Sequence, residues 1–98
     1  MPTFDRLALF KREYRKLTPE QQARFRVAVM KLVAALKADP PGLPGEPLVK
    51  ALSGRRGVYE LRFSPDGRAT FTFGPPARGN QPHIIWRRIG DHSVLSDP

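Results

Sequence analysis

The sequence predicts an α+β domain in which a hairpin of two helices packs on one face of an antiparallel sheet of three or four strands. Apolar residues recur every three or four positions between residues 7 and 38, and they alternate with polar residues at 58–63, 69–74 and 84–89. The first spacing is typical of amphipathic helices, and the second is typical of strands with one buried face. Helices that precede the strands in this order favour separate helix and sheet layers.

Length and composition limit both the fold and the function. A chain of 98 residues with a hydrophobic fraction of 40% suits one small domain over residues 1–98. No cysteine is present, so a disulfide framework and a thiolate metal site are excluded, and a reducing cytoplasm is compatible. No apolar run approaches the roughly 20 residues of a membrane span, and the N-terminus lacks the apolar segment of a signal peptide. We therefore expect a cytoplasmic protein with no membrane partner.

The charge balance points to a polyanionic partner. Seventeen Lys and Arg residues stand against nine Asp and Glu residues, which gives a formal net charge of +8. Such an excess in a small domain favours RNA, DNA or an acidic protein segment. The alternative at this stage is a soluble basic surface with no specific partner.

Two helices are predicted at 7–17 and 19–38, and the link between them is short enough to indicate an antiparallel hairpin. The second helix has a clear start, because Thr18 can cap it, Pro19 suits the first helical position and Gln21 completes a capping box. Residues 1–6 fit either a short edge strand or the first turn of a helix. The apolar stripes comprise Leu7, Phe10, Tyr14 and Leu17 in the first helix, and Phe25, Val29, Leu32, Val33 and Leu36 in the second.

Alternation along the strands separates a core face from a solvent-facing one. Tyr59, Leu61 and Phe63 alternate with Glu60 and Arg62. In the next strand Phe71 and Phe73 alternate with Thr70 and Thr72, so the aromatic residues are expected in the core and the threonines on the solvent face. The sequence SPDG at 64–67 is a hairpin turn, and the proline-rich loop at 39–47 separates the helices from the sheet. The solvent face, bordered by residues 68 and 92, is where function is expected. By the same alternation, Arg87 and Arg88 should point to opposite faces, so that only one of them lines this surface.

Four segments together resemble the RelE/ParE toxin superfamily, and most closely the RelE-, YoeB- and YafQ-like mRNA interferases. They are LSG at 52–54, GVYELRF at 57–63, GRAT at 67–70 and WRRIGDH at 86–92. The resemblance implies a RelE-like fold and a type II toxin that cleaves mRNA on the ribosome, with no metal and no other cofactor. It also implies a cognate antitoxin, bound in a hetero-oligomer, that covers the active face.

The resemblance also implies roles for individual residues. Cleavage by the substrate's 2′-hydroxyl needs a base, an acid and positive charge on the phosphate. His92 resembles the catalytic histidine of the YoeB and YafQ branches and is the candidate acid. Arg68 matches a family arginine that could bind the scissile phosphate. Glu46, placed before LSG as in YoeB, and Glu60 are the two candidates for the base.

Basic residues of the same surface are candidates for RNA binding. Lys50 and Arg62 fit positions at which RelE-like toxins carry basic side chains, and Arg88 is preferred over its neighbour. The sequence departs from the pattern twice: Glu60 stands where RelE has a lysine, and no aromatic residue follows the histidine. Trp86 is expected in the core rather than as a platform for bases.

Two other functions share the same fold. A ParE-like toxin would bind DNA gyrase without catalysis, and a decayed toxin would serve only as an antitoxin-binding module. The presence of Glu46, Arg68 and His92 favours the nuclease.

Overall fold

The computed structural model describes residues 2–77 and 79–98, which form two helices, five strands and a short 3₁₀ turn. The elements in chain order are β1 (Thr3–Arg6), α1 (Ala8–Arg15), α2 (Pro19–Leu36), β2 (Val49–Ala51), β3 (Tyr59–Arg62), β4 (Gly67–Gly74), β5 (His83–Asp91) and the 3₁₀ turn (His92–Ser96). The predicted α+β class is confirmed. The two predicted helices are present but shorter than expected.

The sheet has the order β1-β5-β4-β3-β2, and it is wider than predicted. All neighbours are antiparallel except β1, which runs parallel to β5, so the expectation of a wholly antiparallel sheet with three or four strands is corrected. Two short edge strands account for the difference. Residues 1–6 were ambiguous because a four-residue strand is too short to establish a period, and the three residues of β2 carry even less signal.

Helix α2 begins at the predicted capping box. The Thr18 hydroxyl accepts a hydrogen bond from the Gln21 backbone N–H at 3.1 Å, and the Thr18 N–H donates to the Gln21 side chain at 3.0 Å. The two helices pack as a hairpin, since Phe10 contacts Phe25 while Tyr14 lies next to Gln22. Among the described residues, no helix is long and apolar enough to cross a membrane.

Aromatic rings fill the space between the helices and the sheet. Trp86 is 3% exposed, and its ring centroid lies 5.1 Å from that of Phe25, 5.2 Å from Phe71 and 5.9 Å from Phe10. Such edge-to-face and offset pairs add stability beyond the area they bury. The core position expected for Trp86 is confirmed. Of the residues expected to be buried, Phe25, Leu32, Leu61, Phe63 and Phe71 are buried, and Val29 is half-buried.

The opposite face of the sheet is less open than the alternation suggested. The 3₁₀ turn packs against β4 and β5, and a Cβ added at Gly90 would lie 3.1 Å from a Val94 methyl group. Thr70, expected to face solvent, is fully buried, and its hydroxyl accepts a hydrogen bond from the Arg88 N–H at 3.1 Å. The C-terminal turn therefore covers one part of this face, and the reactive groups have to lie outside that part.

A bulge in β5 overturns the expected alternation of Arg87 and Arg88. The register passes from the pair Thr70–Arg88 to the pair Phe71–Trp86, which leaves one extra residue in β5. Both guanidinium groups consequently donate to the same C-terminal segment, Arg87 to the Pro98 carbonyl at 3.3 Å and Arg88 to the Asp97 carbonyl at 3.0 Å.

Substitution of Leu61 tests the assignment of the buried and exposed faces of the sheet. This residue is fully buried in β3 against the helices, so Leu61→Ala should lower the free energy of unfolding by about 2–5 kcal/mol through loss of buried contacts and cavity formation. Urea denaturation of the purified protein measures this change. Lys50→Ala, on the exposed side of the neighbouring strand, is the control and should change stability by less than about 0.5 kcal/mol. Equal effects of the two substitutions would contradict the assignment.

Candidate functional site

The antiparallel pairing gathers the candidate residues at one end of the sheet. The start of β2, the end of β3, the start of β4 and the end of β5 all meet there. Arg62 pairs with Arg68, Arg68 pairs with Gly90, and His92 follows two residues later. We call this end, with Glu60, Arg62, Asp66, Arg68 and His92, the reactive end.

The β3–β4 turn is held tightly at the reactive end. The Ser64 hydroxyl accepts a hydrogen bond from the Gly67 N–H at 2.8 Å. A Cβ at Gly67 would collide with that hydroxyl and with the Phe63 ring, so only glycine fits this position. The turn thereby fixes the place of Asp66, the residue before this glycine.

Asp66 and His92 form a hydrogen-bonded pair across the reactive end. The His92 Nδ1 lies 2.5 Å from an Asp66 carboxylate oxygen, and both side chains are about two-thirds exposed. The hydrogen bond to Asp66 and its negative charge raise the pKa of His92 above its usual value, whereas the nearby charge of Arg68 opposes this effect. The imidazolium form, which is the form that can donate a proton, therefore persists to a higher pH than in an unperturbed histidine.

Asp91, the residue before His92, caps the 3₁₀ turn. Its carboxylate accepts hydrogen bonds from the Ser93 N–H at 2.9 Å and from the Ser93 hydroxyl, which caps the 3₁₀ turn. These hydrogen bonds lower the pKa of Asp91. The ionised carboxylate thus fixes the turn on which His92 is the first residue.

Arg68 and Glu60 form a second pair on the same face. The Arg68 Nε lies 3.5 Å from a Glu60 carboxylate oxygen, and each side chain is 14% exposed. Arg68 Nη1 donates to turn carbonyls, at 3.0 Å to that of Gly67, whereas Nη2 has no hydrogen-bond partner among the described residues. The Glu60 oxygen is buried and also lacks a hydrogen bond within the described part of the chain. The Arg68 Nη2 thus remains a free donor, whereas this Glu60 oxygen is enclosed and has only the Arg68 Nε as an ionic partner.

The other residues predicted for the site differ in whether their side chains have partners within the protein. Lys50 pairs with Glu60 across the strands and is exposed. Arg62 is exposed and donates to the Pro65 carbonyl at 3.3 Å. Glu46 is exposed in the turn before β2, and it has neither a hydrogen bond nor an ion pair within residues 2–77 and 79–98. Of the two candidate bases, only Glu60 has a cationic partner.

The guanidinium group of Arg88 is occupied by partners within the protein, although the side chain is 24% exposed. Its Nε and Nη2 donate to the two oxygens of Glu13, at 3.2 and 2.7 Å, and its Nη1 donates to the Asp97 carbonyl. Glu13 also accepts from the Ile89 N–H at 3.3 Å. All three nitrogens of Arg88 are therefore occupied in linking α1, β5 and the C-terminal segment.

Two residues of the site were missed in the sequence. Asp66 read only as a turn residue, although a hairpin turn next to the end of β5 could have signalled a contact with His92. Glu13 offered no such signal, because its partner is 75 residues away and the path of α1 along β5 is a tertiary feature. His83 contacts the Thr3 hydroxyl at 2.7 Å and Asp5 at 3.5 Å, and these contacts connect β1 to β5. No group of three or more His, Asp or Glu residues that could hold a metal ion occurs among the described residues.

Comparison with known proteins identifies the fold. No protein-family model matches the chain, and no curated protein matches its sequence. Among solved structures, a chain of the RelB–RelE antitoxin–toxin complex from Methanococcus jannaschii is similar over 95% of both chains, with a TM-score of 0.62 and 14% identity. The chain has the fold of the RelE-type toxins. A YoeB/ParE toxin from Agrobacterium tumefaciens matches 92% of this chain and 98% of its own, with a TM-score of 0.62 and 14% identity.

A structure from the YafQ branch, one of those that the sequence resembles, has a similar fold. The DinJ–YafQ complex of E. coli matches 97% of this chain and 98% of its own, with a TM-score of 0.56 and 16% identity. These matches cover nearly the whole chain, so the helical hairpin, the sheet and the reactive end all lie within the shared fold.

The Asp66–His92 pair makes a prediction that does not depend on activity. Asp66→Asn removes the negative charge and should lower the pKa of His92 towards its usual value of about 6.5. A titration followed by NMR measures this pKa directly. A histidine whose pKa is raised by folding stabilises the folded state at pH values below its pKa in the unfolded chain. This stabilisation is lost as the pH rises through its pKa in the folded protein. Asp66→Asn should therefore lower the stability mainly in acid.

The other histidine provides the control. Asp5→Asn removes the carboxylate next to His83 and should leave the pKa of His92 unchanged. If Asp66→Asn also left it unchanged, the pair would not exist in solution.

The Glu13–Arg88 pair predicts a loss of stability. Glu13→Gln removes the charge that two nitrogens of Arg88 share while keeping the shape of the side chain, so unfolding should become easier by about 1–3 kcal/mol. Glu20→Gln is the matched control, because Glu20 is exposed and pairs only with Arg24 at 3.3 Å; its effect should stay below about 0.5 kcal/mol. Equal melting curves for both variants would show that Arg88 does not depend on Glu13.

Proposed function

We propose that this protein is the toxin of a type II toxin–antitoxin pair and that it cleaves mRNA on the ribosome. The observation that carries the proposal is the meeting of the Arg68–Glu60 and His92–Asp66 pairs at one end of a RelE-type sheet. Two matched structures are antitoxin–toxin complexes, RelB–RelE and DinJ–YafQ, which supports a cognate antitoxin as the partner of this chain in a hetero-oligomer. Its place of action is then the cytoplasm.

The first half of the reaction uses the Arg68–Glu60 pair. The 2′-hydroxyl oxygen of the substrate attacks the adjacent phosphorus, and the Glu60 carboxylate accepts the hydroxyl proton. The free Nη2 of Arg68 binds a non-bridging phosphate oxygen and stabilises the negative charge that builds up. Glu60 is preferred to Glu46 as the base because it already lies next to this guanidinium.

The second half uses the His92–Asp66 pair. As the bond between phosphorus and the 5′-oxygen breaks, protonated His92 donates its proton to that oxygen, and a 2′,3′-cyclic phosphate remains on the upstream fragment. Asp66 holds the ring through Nδ1 and favours the protonated form, so Nε2 is the nitrogen that faces the substrate. The chain's own residues thus provide both proton transfers.

The cations around the two pairs bind the RNA backbone. Lys50 and Arg62 are exposed on the same face and can contact phosphates on either side of the reacting one. Arg88, predicted as an RNA contact, is assigned instead to holding β5 and the 3₁₀ turn in place, because Glu13 and Asp97 occupy its nitrogens.

Substitution of His92 tests the chemistry. His92→Gln should reduce cleavage of a ribosome-bound message by at least about a hundredfold, since the variant cannot donate a proton to the leaving oxygen. Single-turnover cleavage with purified ribosomes, followed by primer extension, measures the rate. Binding to ribosomes should remain within about twofold, because one exposed side chain is a small part of the contact.

Separate substitutions of the two candidate glutamates identify the general base of the cleavage reaction. Glu60→Gln should lower the rate by about a hundredfold or more, and Glu46→Gln should not. The reverse result would transfer the role of base to Glu46. Full toxicity of His92→Gln with intact mRNA and trapped DNA–gyrase complexes would reject the nuclease in favour of a ParE-like function.

A further inference from the structure

The position of His92 depends on the turn that carries it. Its side chain is 72% exposed, and Asp66 is its one hydrogen-bond partner among the described residues. So little contact leaves the position of the ring to the backbone of the 3₁₀ turn, of which His92 is the first residue. Whatever fixes this turn therefore also determines whether the ring can reach Asp66.

The 3₁₀ turn is attached to the sheet at its start, in its middle and beyond its end. At the start, the Asp91 carboxylate accepts a hydrogen bond from the Ser93 N–H at 2.9 Å. In the middle, Val94 is buried next to the backbone of β5. Beyond the end, the carbonyls of Asp97 and Pro98 accept hydrogen bonds from two consecutive arginines of β5. The segment that leaves β5 at residue 92 is thus brought back to the same strand.

Arg87 is the arginine that holds this segment and no other element. Within the described part of the chain it donates only to the Pro98 carbonyl, from Nε at 3.4 Å and from Nη2 at 3.3 Å. Pro98 is buried, so this carbonyl is held in a fixed place. Arg88 also binds Glu13 and thereby holds α1, which means that its loss would disturb more than the turn. Substitution of Arg87 therefore isolates the attachment beyond the end of the turn.

The bulge in β5 allows both arginines to reach the same segment. Thr70 pairs with Arg88 and Phe71 pairs with Trp86, so Arg87 is the extra residue that has no partner in β4. In a regular strand Arg87 and Arg88 would point to opposite faces, and only one of them could contact residues 97 and 98. Bulges often redirect a side chain in this way next to a functional site.

We propose that Arg87 is a positioning residue for His92. By holding the Pro98 carbonyl it fixes the far end of the 3₁₀ turn, and the fixed turn keeps the His92 ring within hydrogen-bonding distance of Asp66. Arg87 acts through the turn and does not touch the substrate. The proposal rests on the proposed function only where it extends to RNA cleavage, because the placement of His92 can be measured without it.

The charges around His92 give the loss of Arg87 a distinctive sign. The hydrogen bond to Asp66 and the charges of Asp66 and Asp91 raise the pKa of His92, and the charge of Arg68 lowers it. A turn that no longer holds the ring near Asp66 lets this pKa fall. Removal of the positive charge of Arg87 would by itself have the opposite effect, since a nearby cation disfavours the imidazolium form. A fall in the pKa therefore identifies positioning, and a rise identifies a direct effect of charge.

An NMR titration of His92 in the Arg87→Met variant tests the proposal. Methionine keeps much of the length of the side chain but has no donor for the Pro98 carbonyl, so the pKa of His92 should fall towards its usual value. Arg87→Lys, which keeps a donor and the charge, should recover most of the raised pKa. Arg56→Met is the matched control, because Arg56 is exposed in the β2–β3 loop and has no partner within the described residues; it should leave His92 unchanged.

A double variant shows whether Arg87 acts through the Asp66–His92 pair. Arg87→Met combined with Asp66→Asn should give the same His92 pKa as Asp66→Asn alone, since the contact that Arg87 maintains is already absent. Additive shifts, an unchanged pKa in Arg87→Met or a raised one would each overturn the proposal. Thermal melts establish that each variant is folded, and Arg87→Gln, which keeps one donor on a shorter side chain, replaces Arg87→Met if the latter is unfolded.

Cleavage of a ribosome-bound message extends the test to the reaction. Arg87→Met should lower the single-turnover rate about tenfold through misplacement of the acid, with ribosome binding within twofold of the unsubstituted protein. The alkaline limb of the pH–rate profile should also move to lower pH, because His92 loses its proton earlier. A normal rate and profile in a variant whose His92 pKa has fallen would reject the extension to catalysis. Absence of cleavage in the unsubstituted protein would reject the nuclease and leave the NMR result on Arg87 standing.

Discussion

The pairing of β4 with β5 is the constraint on which both faces of the protein depend. These two strands lie at the centre of the sheet, and their register places Phe71 against Trp86 on the helical side and Arg68 against Gly90 on the other. A slip of one residue would exchange the two faces. The bulge next to Thr70 changes the register within this pair, and it allows Trp86 and Ile89, three residues apart, both to reach the core. The aromatic core and the reactive end are thus consequences of one strand pairing.

Three acidic residues of this basic protein each pair with one specific basic residue. Asp66 holds His92, Glu60 accompanies Arg68, and Glu13 holds Arg88. The first pair is open to solvent, and the second is incompletely hydrogen-bonded, which is why the proposed function assigns the chemistry to these two. The third uses every nitrogen of its arginine and is structural. A carboxylate–cation pair is therefore assigned to catalysis or to stability according to how many of its donors and acceptors already have hydrogen bonds within the fold.

Sequence patterns were sufficient where local rules determine the structure. The capping box at Thr18, the glycine turn before Arg68 and the burial of Leu61 all follow from residue type and spacing. The patterns failed where distant segments meet. A four-residue β1 has no period of its own and becomes a strand only because β5 provides hydrogen bonds, and Thr70 is buried because the C-terminal turn returns over it. The contact of Glu13 with Arg88 depends on both the bulge and the path of α1, neither of which is encoded locally.

The distribution of exposed groups separates two kinds of recognition. At the reactive end the available groups are polar: they include the free Nη2 of Arg68 and the exposed His92 ring, to which the proposed function assigns one phosphate and one leaving oxygen. On the helical side the available groups are Met30, Val27 and Phe4, which have no directional chemistry and gain free energy only by being covered. A transient substrate is best bound by charge, whose strength falls quickly with distance and salt, whereas a long-lived partner needs buried apolar area. The sheet separates these two surfaces, because Arg6 and Trp86 are paired on its helical face whereas Glu60 and Arg68 lie on the opposite face.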